Sequence, residues 1–174
     1  MKKLTKILGM FACAFVLMLS GMFLTACGGA YSVKGMTFKG TSECFVVWAE
    51  GLTDDEKASI LEELDVASEE SLIELYSTHM GPVMETFTQR FNEDGTVDIS
   101  IIEHEGEDPQ TISGYWAQSE DLTKVINYHD AEHTDVIGDG AHGLEYVNGK
   151  FCLNFVAYSD YQDEIGVYFV FERV

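Results

Sequence analysis

The chain has 174 residues, 46% of them hydrophobic and 12% aromatic, a composition that excludes disorder throughout and gives one domain, or at most two, on length. Ten Lys and Arg stand against thirty Asp and Glu, a formal net charge of −20. So acidic a surface repels phosphate backbones, which speaks against a nucleic-acid partner and against an anionic lipid surface as a partner of the body itself.

The two ends differ. Residues 1–26 contain Lys2, Lys3 and Lys6 and no acid, whereas residues 27–174 contain seven basic and all thirty acidic residues. Residues 7–26 are uncharged and mostly apolar, about long enough to cross a bilayer core, so a transmembrane anchor is one reading. The end of the run, Leu24-Thr25-Ala26-Cys27-Gly28-Gly29, favours a removed leader instead, because small residues just before the cysteine fit a peptidase with a narrow substrate site. These residues resemble the lipobox of bacterial lipoprotein signal peptides. The resemblance implies a signal peptide over 1–26, cleavage between Ala26 and Cys27, and a diacylglycerol on the Cys27 sulfur. Acyl chains of the palmitate type contribute ~0.8 kcal/mol per buried methylene, so two of them hold a protein stably on a membrane. Residues 27–32 then form the lipidated cysteine and a flexible tether, and the protein is expected on the extracytoplasmic face of a cell membrane. Gly28 follows the cysteine, where Asp would resemble the inner-membrane retention signal of Gram-negative bacteria.

The body, residues 33–174, opens with two β-patterned runs at 32–40 and 43–49. A helical island comes next. Thr53 and Glu56 have the spacing of a capping box, with acids in the first turn, and Ile60, Leu61 and Leu64 share a face. Ser68 reads as a second cap, Leu72, Ile73, Tyr76 and Met80 continue at helical spacing, and Gly81-Pro82 is a stop signal. Two helices over 54–65 and 69–79 result, with His79 a cation near the second C-terminus. Seven further strands are expected at 84–91, 96–103, 111–118, 122–128, 142–147, 151–158 and 165–173. Their apolar residues alternate, as in Val97, Ile99 and Ile101, or Ile165, Val167, Phe169 and Phe171. Asn148-Gly149 is the strongest hairpin signal, since both residues accept the positive φ of a type I′ turn.

Successive hairpins with one apolar face predict an antiparallel meander of eight to nine strands that closes into a barrel and so removes its edges. A body of this length buries ~68–70% of its unfolded surface, enough for one core. Particular residues sharpen the expectation: Val33-Lys34-Gly35-Met36-Thr37-Phe38, then Phe91-Asn92-Glu93-Asp94-Gly95-Thr96, Gly114-Tyr115-Trp116, Gly149-Lys150-Phe151-Cys152-Leu153 and the ending Phe171-Glu172-Arg173. They are similar to the strand signatures of the small lipocalin-like domains on many bacterial lipoproteins, with Arg173 in place of the usual Lys and a long closing loop at 159–164. The resemblance implies a mainly β, up-and-down lipocalin-like (calycin-type) barrel with the helical pair inserted near 54–80. It supplies no ligand.

Four groups of residues carry candidate chemistry. Cys44 and Cys152 lie in β-patterned runs, and both a disulfide and two buried free thiols are open. His129-Asp130-Ala131-Glu132-His133 matches the H-x-x-E-H zinc-peptidase pattern, but no helical stripe surrounds it and glycines come soon after. His129, Glu132 and His133 remain weak metal candidates beside a polar-loop reading. Glu103, Glu105, Glu107 and Asp108 surround His104 without EF-hand spacing and read as a solvated turn. Phe45, Trp48, Phe87, Phe91, Trp116, Phe151 and Phe169 are among the aromatics that either line a cavity or fill the barrel solidly.

With no nucleophile elbow, P-loop or dinucleotide glycine pattern, neither a cofactor nor an enzyme is expected. The leading functional expectation is a lipid-anchored surface protein that binds a small apolar or amphipathic molecule. The alternative is a surface interaction protein with a filled barrel and an acidic face for a protein partner or cations.

Overall fold

A computed structural model describes residues 29–102, 106–140, 143–155, 161 and 163–174. The chain divides into Met1–Ala30 and Tyr31–Val174, and the described strands and helices all lie in the second unit. The leader, Cys27, Glu103 to Glu105 and His142 lie outside the described residues.

Eight strands form one antiparallel ring: β1 (Met36–Trp48), β2 (Thr88–Phe91), β3 (Thr96–Ile101), β4 (Gln110–Gln118), β5 (Lys124–Tyr128), β6 (Leu144–Val147), β7 (Lys150–Asn154) and β8 (Ile165–Arg173). Each pairs with the next, and β8 returns to β1 through Phe38↔Arg173 to Trp48↔Ile165. The alternation read from the sequence is the in–out alternation of the wall: Val97, Ile99, Phe169 and Phe171 are buried, while Lys124 and Ile126 on β5 are exposed beside buried Val125. At the β6–β7 hairpin, Asn148 and Gly149 both have positive φ, 52° and 83°, which Asn and Gly reach at little steric cost.

The structure corrects the strand count at its first step. The expected strands 32–40 and 43–49 are one strand, β1, with a register shift between Gly40 and Cys44 where it faces Phe171 and Phe169 of β8. The Thr41 hydroxyl donates to the Val170 carbonyl at 3.1 Å, so the irregular stretch stays attached to the sheet. Gly40 is tied here for a second reason: a Cβ would run into the Met84 carbonyl.

The helices are α1 (Asp54–Glu63) and α2 (Glu69–Met84). The capping box forms: the Glu56 amide donates to Thr53 Oγ1 at 3.3 Å and the Thr53 amide to Glu56 Oε2 at 2.8 Å. Ser68 caps α2 by accepting from the Ser71 amide at 3.2 Å. The expected stop at Gly81-Pro82 does not occur. Gly81 has no Cβ to collide with the proline ring, so the residue before proline stays helical. One more turn then buries Met84, and that packing offsets the hydrogen bond Pro82 cannot make. The expected strand over 84–91 therefore starts only at Thr88.

Helix α2 lies along the second half of β1. Ser77 Oγ donates to the Ser42 carbonyl at 3.0 Å, and Trp48 Nε1 donates to Glu69 Oε2 at 2.7 Å. The pair thus covers the end of the barrel where β1 finishes, with Ile60, Leu72 and Met84 entering the common core. The segment before β1 packs at the opposite end. Val33 is fully buried, its amide donates to Gln118 Oε1 at 3.1 Å, and Gln118 Nε2 donates to the Tyr31 carbonyl at 2.9 Å.

Candidate functional site

The barrel interior is the first place a ligand would sit. Five phenylalanines, Phe38, Phe87, Phe91, Phe151 and Phe169, are each at most 2% exposed. Their rings meet one another and their neighbours edge-on, Phe38–Phe151 at 5.3 Å, Phe38–Phe91 at 6.0 Å and Phe87–Phe171 at 5.4 Å between centroids, the offset geometry aromatic pairs prefer. A 3-10 turn at Ile137–Gly140 adds Ile137 to the core above Gly114, where a Cβ would lie 2.8 Å from Ile137 Cδ1.

Two polar side chains interrupt this core. Gln89 on β2 and Asn127 on β5 are 0% and 1% exposed, and Asn127 Nδ2 donates to Gln89 Oε1 at 3.1 Å. Their strands are not neighbours, so the bond spans the lumen. Burying an amide is tolerable only when it is hydrogen-bonded. Sequence reading passed over both. The available signal was parity: Gln89 shares the inward phase of Phe87 and Phe91, and Asn127 that of Val125.

The metal candidates form a turn. The Asp130 carboxylate accepts from the Thr134 amide at 2.9 Å, the Asp135 amide at 3.0 Å and the Thr134 hydroxyl. These bonds, the Thr134 hydroxyl foremost, pull its pKa down to about 2. The His129 amide donates to the Asp135 carbonyl at 2.7 Å, and His133, at φ 57°, stacks its ring on Tyr128 at 4.7 Å. His129, Glu132 and His133 are all exposed. Among the described residues no three His, Cys, Asp or Glu groups gather as a metal site. Glu107 and Asp108 of the other acidic run are exposed.

The cysteines are both free and buried. Cys44 pairs in register with Phe169 and Cys152 with Val170, consecutive residues of β8, so the two side chains sit on opposite faces of the sheet. The inward Cys44 thiol donates to the Ile73 carbonyl of α2 at 3.6 Å. Burial pushes the Cys152 thiol up to about 12, which leaves it an inert apolar group. A disulfide between them is ruled out by this geometry.

On the outer wall, Tyr168 stacks on Phe45 at 5.7 Å, and burial foremost raises its phenol to about 12. Lys150 pairs with Glu43 at 2.6 Å across β8.

The helical cap has a different character. Residues 50–85 hold eleven Asp and Glu against one Lys and no Arg, and the ammonium of that Lys57 lies 6.0 Å above the Trp48 ring. Ala58, Leu61, Glu62, Asp65, Val66 and Ala67 line an open groove of about 440 Å³ at the junction of α1 and α2. In comparisons with protein families, with curated proteins and with solved structures, nothing matches this chain.

Proposed function

We propose that this chain is a lipid-anchored cell-surface interaction protein, non-enzymatic, whose lipocalin-like barrel is a filled scaffold that presents an acidic helical cap. The observation that carries the reading is the aromatic packing of the lumen: five buried phenylalanines occupy positions that would line a ligand cavity, with Phe38 edge-on to Phe91 and Phe151 and Phe87 edge-on to Phe171, which favours scaffold over carrier. The strongly lowered surface carboxylates have structural roles. Asp121 and Asp130 are lowered by hydrogen bonds that build turns, the Ser119 and Thr134 hydroxyls foremost. The anchor rests on the lipobox resemblance at Cys27. No helix of the described residues is long and apolar enough to cross a membrane.

The test uses the Tyr31–Val174 unit, which contains the eight strands, both helices and the core. Titrated with an environment-sensitive apolar dye and with a fatty acid, it is expected to show no saturable uptake. Stoichiometric uptake would overturn the filled-scaffold reading in favour of a carrier. In cells, Cys27→Ser is expected to abolish labelling by radioactive palmitate, and unchanged labelling would remove the anchor.

A further inference from the structure

We propose that the groove at the junction of α1 and α2 docks a cationic amphipathic peptide segment, one that places an apolar side chain between flanking lysines or arginines; this rests on the interaction reading above and names its site. Ala58, Leu61, Glu62 and Asp65 fall at helical spacing, so they form one stripe along α1 and onto its C-terminal turn. Ala58 and Ala67 are small and exposed, which leaves the depression. Leu61 and Val66 are half-buried and packed on the core, so the floor is apolar and backed by the barrel. Glu62 and Asp65 stand exposed at its rim.

Charge selects the occupant. Eleven acids and one Lys over residues 50–85 set a negative field around the groove, and that Lys57 is drawn to the Trp48 ring. Such a field steers cations and repels phosphates, so a basic peptide is matched and a nucleic acid or anionic lipid is not. An apolar anchor in a groove with charged flanks is the helix-in-groove mode of peptide recognition.

Asp65 fixes the geometry of the rim. It ends α1 in the left-handed region at φ 56°, its amide donating to the Glu62 carbonyl and the Val66 amide to the Leu61 carbonyl, each at 3.0 Å. This is a Schellman turn, in which glycine is the ordinary residue at that position. Aspartate tolerates this left-handed conformation better than most residues, and here it sets its carboxylate at the groove rim.

The experiment measures binding of a fluorescein-labelled helical Lys/Leu peptide to the Tyr31–Val174 unit, with a Glu/Leu peptide of the same pattern as control. The Lys/Leu peptide is expected to bind and the Glu/Leu peptide to fail. Ala58→Arg, which fills the groove with a cation, and Asp65→Asn, which keeps the left-handed turn but drops the charge, should each weaken binding about fivefold or more, the scale of a lost interface charge contact. Asp65→Gly should raise the melting temperature and still weaken binding, opposite signs that a purely structural Asp65 would not produce. Glu120→Gln, in the β4–β5 turn at the far end of the barrel, should leave binding unchanged. Equal binding by the groove variants and the parent, or an equal loss in Glu120→Gln, overturns the groove while leaving an acidic interaction surface. Failure of the parent to bind the Lys/Leu peptide overturns the groove's ligand class, and dye or fatty-acid uptake separately overturns the filled-scaffold reading.

Discussion

The amide pair across the barrel lumen is the sharpest place to perturb this fold. Asn127 Nδ2 donates to Gln89 Oε1 at 3.1 Å, and both residues are at most 1% exposed. Asn127→Leu keeps the side-chain size and removes the donor, so the Gln89 carbonyl loses this bond inside a phenylalanine core. Removing one partner of a buried hydrogen bond costs ~1–3 kcal/mol, whereas replacing both by apolar groups of similar shape is nearly neutral. Gln89→Leu alone should therefore destabilise by a similar amount, and the double Gln89→Leu/Asn127→Leu variant should recover most of the loss. Double-mutant coupling of at least ~1 kcal/mol is expected, with each single change lowering Tm by ~2–4 °C per kcal/mol for a unit of this size. Urea unfolding of the four forms, monitored by Trp fluorescence and far-UV circular dichroism, measures it. If the two losses simply add, within ~0.3–0.5 kcal/mol, the cross-lumen bond carries no coupling and the reasoning is refuted.

Acid stability depends on two turn carboxylates. Asp121 and Asp130 have folded pKa values of about 2 against an ordinary 3.8 for aspartate. A depressed pKa gives stability that is present above the unfolded value and lost as pH falls through the folded one, so stability should decline between about pH 4 and pH 2. Asp130→Asn should flatten that decline, and thermal melts across the range would show an unchanged slope if the assignment is wrong. Gly81→Ala tests the α2–β1 contact. A Cβ there would lie 2.9 Å from Ser42 Cβ and 3.4 Å from Ser42 Cα and would also meet the Pro82 ring, so overpacking of ~1–3 kcal/mol should outweigh any helix-propensity gain, at most ~1 kcal/mol. A net rise in Tm would sink the close-packing account. Finally, Cys44 and Cys152 should resist iodoacetamide in the native Tyr31–Val174 unit and both react after denaturation, as counted by mass spectrometry. Rapid labelling of either native thiol would contradict its burial.

The sequence alone determined the local devices. The Thr53–Glu56 capping box, the Ser68 cap and the Asn148-Gly149 turn each work through hydrogen bonds or φ preferences within a few residues, so they are readable from a short window. Alternation in Val97–Ile99 and Ile165–Phe171 likewise showed which face of each strand is buried, and with the run of hairpins it pointed to a closed antiparallel sheet. Tertiary structure decided whatever depended on partners distant in sequence. β1 runs unbroken through Thr41–Glu43 because β8 holds both sides of the irregularity, and no local signal marks such a shift. α2 continues through Pro82 because Met84 gains a core on the far side. Cys44 and Cys152 fall on opposite faces because one register places them beside adjacent residues of β8. The same holds for the lumen. Period-two patterning says that Phe38, Phe87, Phe151 and Phe169 point inward, but whether rings from separate strands meet or leave a space between them is set by the curvature of the closed sheet. That is a property of all eight strands together, and only the assembled ring brings Gln89 and Asn127 within hydrogen-bonding distance.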